Sequence, residues 1–102
     1  MAIHVTAGTL DLTGNGGITA PWVVIQQGTK NVGETTTVNV GKGVKLLSRN
    51  DVESREGDPE NGYGDCAVYL CGKATLNVAG TLETDSRNYC AIQASGIGVC
   101  RA

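Results

Sequence analysis

The sequence is poor in several residue types and patterns that other classes of protein require. Its 102 residues include no phenylalanine, two prolines and one histidine, and only 18% of them are charged. No stretch reaches the ~18 consecutive apolar residues of a transmembrane helix. The net charge of −2 argues against nucleic acid or an anionic membrane as a partner, because both favour basic surfaces. The 40% of hydrophobic residues excludes a disordered chain, and the length predicts one domain over residues 1–102.

Short alternating segments take the place of helical periodicity. Residues 9–13, 37–40 and 75–78 read TLDLT, TVNV and TLNV, with apolar and polar side chains in alternation. Such alternation is typical of β-strands that bury one face. No window of about eleven residues has the apolar spacing of an amphipathic helix. The sequence therefore predicts an all-β protein with many glycine-rich corners, which accommodate most of its 15 glycines.

The same set of three short strands recurs along the chain as an internal repeat. The repeat predicts coils at residues 3–20, 22–47 and 66–84, with a fourth coil beginning at Cys90. A unit of three short strands cannot bury its inner face alone. Stacked units can, and this is the principle of a solenoid.

One segment carries a resemblance to a known architecture. Residues 67–96, AVYLCGKATLNVAGTLETDSRNYCAIQASG, resemble the right-handed parallel β-helix, particularly the adhesin-like proteins of bacterial surfaces and the head-fibre or decoration proteins of phages. The resemblance extends over most of the chain at lower quality. It implies a short right-handed parallel β-helix, or β-solenoid, of about three coils with a lateral loop insertion. The alternative fold is a β-sandwich or jelly roll with coincidentally similar strands.

Stacking the coils in register places aligned side chains about 4.8 Å apart and predicts which of them share a column. The predicted inward columns are aliphatic apart from one glutamine: Val24, Val68 and Ile92; Gln26, Leu70 and Ala94; Leu10, Val38 and Leu76; Leu12, Val40 and Val78; Ile18, Val44 and Leu82. The predicted outward columns are mainly polar: Thr9, Thr37 and Thr75; Asp11, Asn39 and Asn77; Thr19, Lys45 and Glu83. Lys45 and Glu83 are therefore expected to form an exposed ion pair.

The four cysteines all lie in the last 40% of the chain. Their spacings of five, nineteen and ten residues do not fit a structural zinc site, so no metal is predicted. Cys66 and Cys90 fall in the column headed by Trp22, close enough for a disulfide, although parallel neighbours favour a buried pair of thiols. Cys71 is expected to face outward, and a bridge from Cys71 to Cys100 is left open.

An acidic insertion at about residues 49–65 interrupts the repeat. Residues 50–65 carry six carboxylates and one arginine, without the D-x-D-x-D-G spacing of a calcium loop. Loops of this kind carry recognition more often than regular strands do. The candidate partner-contact residues are Asp51, Glu53, Arg55, Glu56, Asp58, Glu60 and Tyr63.

The regular strands offer no catalytic constellation. Their carboxylates, Asp11 and Glu83, fall on different faces, whereas glycoside hydrolysis needs two carboxyl groups acting on one groove. No triad assembles around His4, and no phosphate-binding loop precedes a helix. We therefore predict no catalytic residue, no cofactor and no metal ligand.

The expected function is that of a non-enzymatic structural or attachment protein, such as a phage capsid decoration or head-fibre protein or a surface adhesin. Bare strand edges at the ends of a short solenoid predict a homo-oligomer (a trimer or an end-to-end stack) or docking onto a capsid or surface, and a glycan is a further candidate ligand. Residues 1–6 do not read as a signal peptide, which predicts a virion protein made in the host cytoplasm. If the chain is excised from a longer secreted protein, a cell-surface location is expected instead. The alternative functions are a carbohydrate-binding or carbohydrate-acting β-helix module and a filament-forming cytoskeletal solenoid.

Overall fold

Eleven short strands make up most of the chain that the structure describes. In the computed structural model the described residues are 1–29, 34–49, 66–85, 90–95 and 98–101, and none of them is helical. The prediction of an all-β protein is confirmed. The strands are β1 (Ile3–Val5), β2 (Gly8–Leu12), β3 (Asn15–Ala20), β4 (Ile25–Gln27), β5 (Thr36–Val40), β6 (Gly43–Ser48), β7 (Val68–Cys71), β8 (Ala74–Val78), β9 (Thr81–Thr84), β10 (Ile92–Ser95) and β11 (Gly98–Arg101).

The strands form three parallel sheets that the chain visits in rotation. The first sheet has the order β1-β4-β7-β10, the second β2-β5-β8-β11 and the third β3-β6-β9. Every pairing between the described strands is parallel. A sandwich or jelly roll is built from antiparallel strands, so this pairing argues against the alternative fold. Parallel sheets whose strands follow one another in rotation are consistent with a β-solenoid.

The register of the second sheet is the one that the repeat predicts. Strands β2, β5 and β8 align without slippage, and β11 continues the sheet on β8. The aligned columns are Thr9, Thr37 and Thr75; Leu10, Val38 and Leu76; Asp11, Asn39 and Asn77; Leu12, Val40 and Val78. Clean alternation in all three strands excludes a shift of one residue, and the similar motifs TLDL, TVNV and TLNV fix which of the remaining registers is used.

The predicted register of the first sheet is wrong by one residue at β4. Ile25, and not Val24, lies opposite Val68, and Gln27, and not Gln26, lies opposite Leu70. Residues 23–25 are all apolar, so alternation does not indicate which of them faces inward. The turn before β4 decides it: Trp22 adopts a positive φ of 63°, which is uncommon for a residue other than glycine. The Ser48 hydroxyl donates a hydrogen bond to the Trp22 carbonyl oxygen and helps to hold this turn.

The predicted register of the third sheet is wrong by two residues at β6. Ile18 lies opposite Leu46 and not Val44, while Leu46 lies opposite Leu82. A shift of two residues leaves every side chain on the same face, so Val44 is still buried and alternation cannot detect the error. Glu83 lies opposite Leu47, which in turn lies opposite Thr19, and the predicted column of Thr19, Lys45 and Glu83 does not form.

The predicted ion pair forms despite this shift. Lys45 lies opposite Thr81, and its Nζ reaches diagonally to Oε2 of Glu83 at 3.2 Å. Both side chains are 51% exposed, so water and salt screen the attraction. Its contribution to stability is therefore at most a few tenths of a kcal/mol, at the lower end of the ~0.2–1 kcal/mol range for surface pairs.

The space between the sheets is filled by aliphatic side chains. The largest buried side chains of this core include Ile25, Leu46, Leu70 and Leu76, and small alanines fill the remaining space. Stacked columns of branched aliphatic residues pack well at one strand spacing, which agrees with the lack of phenylalanine in the sequence.

Gln27 is a polar residue inside this aliphatic core. It is fully buried, and its Nε2 donates to the Thr75 carbonyl oxygen at 2.9 Å and lies 3.5 Å from the Thr36 hydroxyl. Its Oε1 has no hydrogen-bond partner among the described residues. A buried acceptor without a donor costs about 1–3 kcal/mol. The amide therefore links the first sheet to the second at the expense of one unsatisfied oxygen.

This geometry distinguishes two substitutions of Gln27. We expect Gln27→Met to change the free energy of unfolding by less than about 1 kcal/mol, because the lost bond to Thr75 is offset by removal of the unsatisfied oxygen. Gln27→Glu should cost about 3 kcal/mol or more at neutral pH, because it buries a carboxylate beside the Thr75 carbonyl oxygen, with no cation among the described contacts of Gln27. Urea denaturation of both variants measures the difference, and equal losses would contradict this account of the core.

Gly28 follows Gln27 and is required by a close approach of the next strand. Its φ is +76°, its N–H donates to the Val5 carbonyl oxygen at 2.8 Å, and a Cβ atom would collide with the carbonyl oxygen of Cys71. Gly8 has a similar φ of +80° but no atom within 4 Å of a Cβ. A substitution at Gly8 therefore introduces backbone strain alone, whereas the same substitution at Gly28 introduces backbone strain and steric overlap.

We expect Gly8→Ala to cost about 1 kcal/mol of stability, the penalty for a positive φ in a residue with a Cβ. Gly28→Ala should cost about 3 kcal/mol or more, because the collision with Cys71 adds to that penalty. Thermal and chemical denaturation of the two variants would test this, and an equally mild loss at both positions would contradict it.

Candidate functional site

The partner-contact residues predicted in the acidic insertion all lie outside the residues that the structure describes. They are Asp51, Glu53, Arg55, Glu56, Asp58, Glu60 and Tyr63. Their role in partner recognition stays a prediction. The candidate site that the structure does describe lies on the outer face of the second sheet.

A ladder of polar side chains crosses this outer face. Asn77 donates from Nδ2 to Oδ1 of Asn39 at 2.8 Å, and Asn39 donates from Nδ2 to Oδ1 of Asp11 at 2.6 Å. The shorter contact is the charge-assisted one, as expected for a carboxylate acceptor. Because parallel strands bring equivalent residues to one strand spacing, an Asx residue on each of three strands is enough to build the ladder.

The ladder has a direction, and its final acceptor is charged. Each amide donates towards β2, so the chain of hydrogen bonds ends on the Asp11 carboxylate. At the other end, the backbone of Arg101 in β11 lies opposite Asn77. The column therefore runs Asp, Asn, Asn, Arg in sequence, from an acidic residue on one edge strand to a basic residue on the other.

A groove of about 470 Å³ runs beside the ladder, where the second sheet turns towards the third. The ladder residues form one side, and small corner residues after each strand form the other. Its lining comprises Asp11, Leu12, Thr13, Asn39, Val40, Gly41, Asn77, Val78 and Ala79. A second groove of about 370 Å³ shares Asp11, Leu12 and Thr13 and continues around the corner to β3. Asp11 therefore lines both grooves.

Backbone contacts between neighbouring turns explain part of this shape. The N–H of Gly41 donates to the Leu12 carbonyl oxygen at 2.8 Å, and a Cβ at Gly41 would lie only 2.6 Å from that oxygen. The N–H of Ala79 donates to the Val40 carbonyl oxygen at 2.8 Å in the equivalent turn. Glycine is thus required at position 41. In the equivalent turn, position 79 is an exposed alanine, whose small side chain leaves the groove open.

The cysteines differ in part from their predicted positions. Cys71 is 1% exposed, buried with Val23, Cys66 and Tyr69 in a second cluster on the outer face of the first sheet. The prediction that it faces away from the main core is correct, but it is not exposed to solvent. This small cluster is separate from the core between the sheets.

The predicted column of Cys66 and Cys90 needs two corrections. The sequence predicted Trp22 beside Cys66, but the one-residue shift at β4 places Val23 there. The hydrogen bond from the N–H of Val24 to the Cys66 carbonyl oxygen, at 3.4 Å, agrees with this register. Cys66 is buried but Cys90 is exposed, so the two are not a buried pair. Cys66, Cys71 and Cys90 are thiols in this structure, and the side chain of Cys100, the other partner in the predicted Cys71–Cys100 bridge, lies outside the described residues.

The described residues provide hydrogen-bonding chemistry at the ladder. Within the described ranges, no group of three His, Cys, Asp or Glu side chains is placed to hold a metal ion. Asp11 and Glu83 lie on different sheets, so they do not act on one groove. His4 is engaged elsewhere, with Nε2 2.8 Å from the Gly28 carbonyl oxygen.

Comparison with other proteins found no relative of this chain: no protein-family model, no curated protein and no solved structure matches it. Among the described residues, no helix is long and apolar enough to cross a membrane. The sequence predicted the Asp11, Asn39 and Asn77 column, but it contained no signal for the groove, which depends on how successive corners stack.

The ladder can be tested by placing a second carboxylate in it. We expect Asn39→Asp to destabilise the protein by roughly 1–2 kcal/mol, because it removes the donor to Asp11 and sets like charges on neighbouring strands. High salt should recover part of this loss by screening the repulsion.

Thr37→Asp is the matched control for Asn39→Asp. It lies on the same strand and the same face, but between Thr9 and Thr75, which carry no charge. Its loss should be smaller and insensitive to salt. Urea denaturation at low and high ionic strength measures both variants, and an equal salt response would show that the ladder carries no special interaction.

Proposed function

We propose that the protein is a non-enzymatic structural or attachment protein that assembles with itself through the ends of a short right-handed parallel β-helix. In this proposal the three sheets are the walls of three coils, and β10 and β11 begin a fourth. The right-handed sense follows from the general handedness of parallel crossover connections. The observation that carries the proposal is that, among the described strands, each of the three sheets begins and ends with a strand that has only one neighbour.

One end of the molecule presents the edge strands β1, β2 and β3, and the other presents β10, β11 and β9. An edge strand offers a row of backbone N–H and C=O groups for pairing with another chain. The two ends differ, so a contact between them is heterologous and can repeat into an open stack.

Self-assembly of this kind suits a particle-bound or surface-bound role. The resemblance of residues 67–96 to β-helix proteins of phage heads and bacterial surfaces supports a capsid decoration or head-fibre role on a virion, with a surface adhesin as the neighbouring possibility. In both roles the coils form a rigid spacer, and recognition falls to side chains on the faces and loops.

Thr9→Pro tests assembly through the edge strand β2. The Gly8 N–H donates to the Thr35 carbonyl oxygen, and the Gly41 N–H donates to that of Leu12. Alternation along a parallel ladder then directs the N–H of Thr9 away from β5, towards the free edge. Proline at position 9 removes an edge donor without breaking a bond to β5, so we expect the fold to survive while the stack dissociates into single chains.

Sedimentation velocity and light scattering over a range of concentrations measure this outcome, with circular dichroism as the check on folding. Thr9→Val is the matched control, because it keeps the backbone N–H and a β-branched side chain, and should assemble like the wild type. A wild-type protein that remains a monodisperse monomer at every concentration would overturn the proposed function.

A further inference from the structure

The groove beside the ladder combines a periodic polar side with an apolar floor. Asp11, Asn39 and Asn77 stand on successive strands of one sheet, about 4.8 Å apart. Leu12 and Val78, the next residues along their strands, pack against the core but stay half-buried, so they line the groove where the strands end. The same type of polar group therefore recurs at each step along the groove, which suits a ligand that is itself a repeating chain.

The hydrogen-bonding capacity of the ladder points to a neutral polyhydroxyl ligand. Each amide nitrogen carries two hydrogens, and the ladder uses one of them on Asn39 and one on Asn77. The second hydrogen of each amide can donate, and the second oxygen of the Asp11 carboxylate can accept. Hydroxyl groups both donate and accept, so they match this mixture.

The charge and the apolar lining of the groove narrow the range of possible ligands further. Among the residues whose side chains the structure describes, the one ionisable group in the lining is the carboxylate of Asp11, which disfavours polyanions and is too little to hold a polycation. The half-buried aliphatic side chains offer a surface for the C–H face of a pyranose ring. A volume of about 470 Å³ lies within the ~300–1,000 Å³ range of small-ligand sites.

We propose that this groove binds a neutral oligosaccharide that lies across the strands of the second sheet, with successive sugar units at Asp11, Asn39 and Asn77. The second groove, which also has Asp11 in its lining and reaches Thr13 and Asn15, offers space for further sugar units beyond Asp11. Binding needs only one copy of the chain, so this proposal goes beyond self-assembly. It states the chemical class of the target to which an attachment protein of this kind would bind.

Nuclear magnetic resonance titration of the ¹⁵N-labelled full chain tests the proposal directly. The probes are the neutral hexasaccharides of β-1,4-glucose, α-1,4-glucose, β-1,3-glucose and β-1,4-N-acetylglucosamine, with glucose and hexagalacturonate as comparisons. We expect saturable shifts of the Asn39 and Asn77 side-chain amides with at least one neutral hexasaccharide. Glucose and the anionic chain should bind at least tenfold more weakly.

Two variants connect binding to this groove. Asn77→Ala removes one polar group and should weaken binding about tenfold, the loss expected for one hydrogen bond. Ala79→Leu fills the groove from an exposed position without touching the ladder and should abolish binding in a protein that is still folded. Thr19→Ala, on the third sheet, is the matched control and should bind like the wild type.

No saturable shift with any neutral hexasaccharide, or undiminished binding by folded Ala79→Leu, would overturn the proposal. Equal affinity for glucose and the hexasaccharides would overturn the extended binding mode. Sedimentation of the same samples reports assembly separately. A monomer that binds would refute only the proposed self-assembly, and an assembled protein that does not bind would refute only the glycan site.

Discussion

Parallel pairing between successive strands is the constraint on which the rest of this structure depends. Each strand of a sheet lies about 4.8 Å from its neighbour, so one residue type at one position of the repeat becomes a continuous column. Inside, the columns are aliphatic and pack as the core. Outside, the same alignment turns Asp11, Asn39 and Asn77 into a hydrogen-bonded ladder. Core and ladder are two consequences of one register.

The corners show what this close stacking requires. Gly28, Gly41 and Gly80 each face a backbone carbonyl oxygen of a neighbouring turn, where a Cβ atom would collide. Gln27 shows a different cost of the same packing: its amide joins two sheets, but one of its oxygens stays unsatisfied in the core. The spacing of the strands thus determines which residues fit at the corners.

The ends and the sides of the molecule offer separate surfaces. In the proposed assembly, the outermost described strands of each sheet pair with another copy, whereas the ladder and its groove lie on a lateral face that such pairing leaves open. Head-to-tail stacking would also lengthen the lateral face. Self-assembly and recognition of an extended ligand are therefore compatible in the same protein, and the first would multiply the sites available for the second.

The sequence by itself determined the all-β class, the three recurring strands and the register of the second sheet, because alternation in β2, β5 and β8 excludes one-residue shifts and their similar motifs fix the alignment. Only the tertiary structure decided the register at β4, where three apolar residues in a row conceal the inward face, and at β6, where a two-residue shift preserves alternation. It also decided the burial of Cys71 and the exposure of Cys90, which depend on what packs over the outer face. The groove could not be read from the sequence, because its shape arises where corners distant in sequence stack on one another.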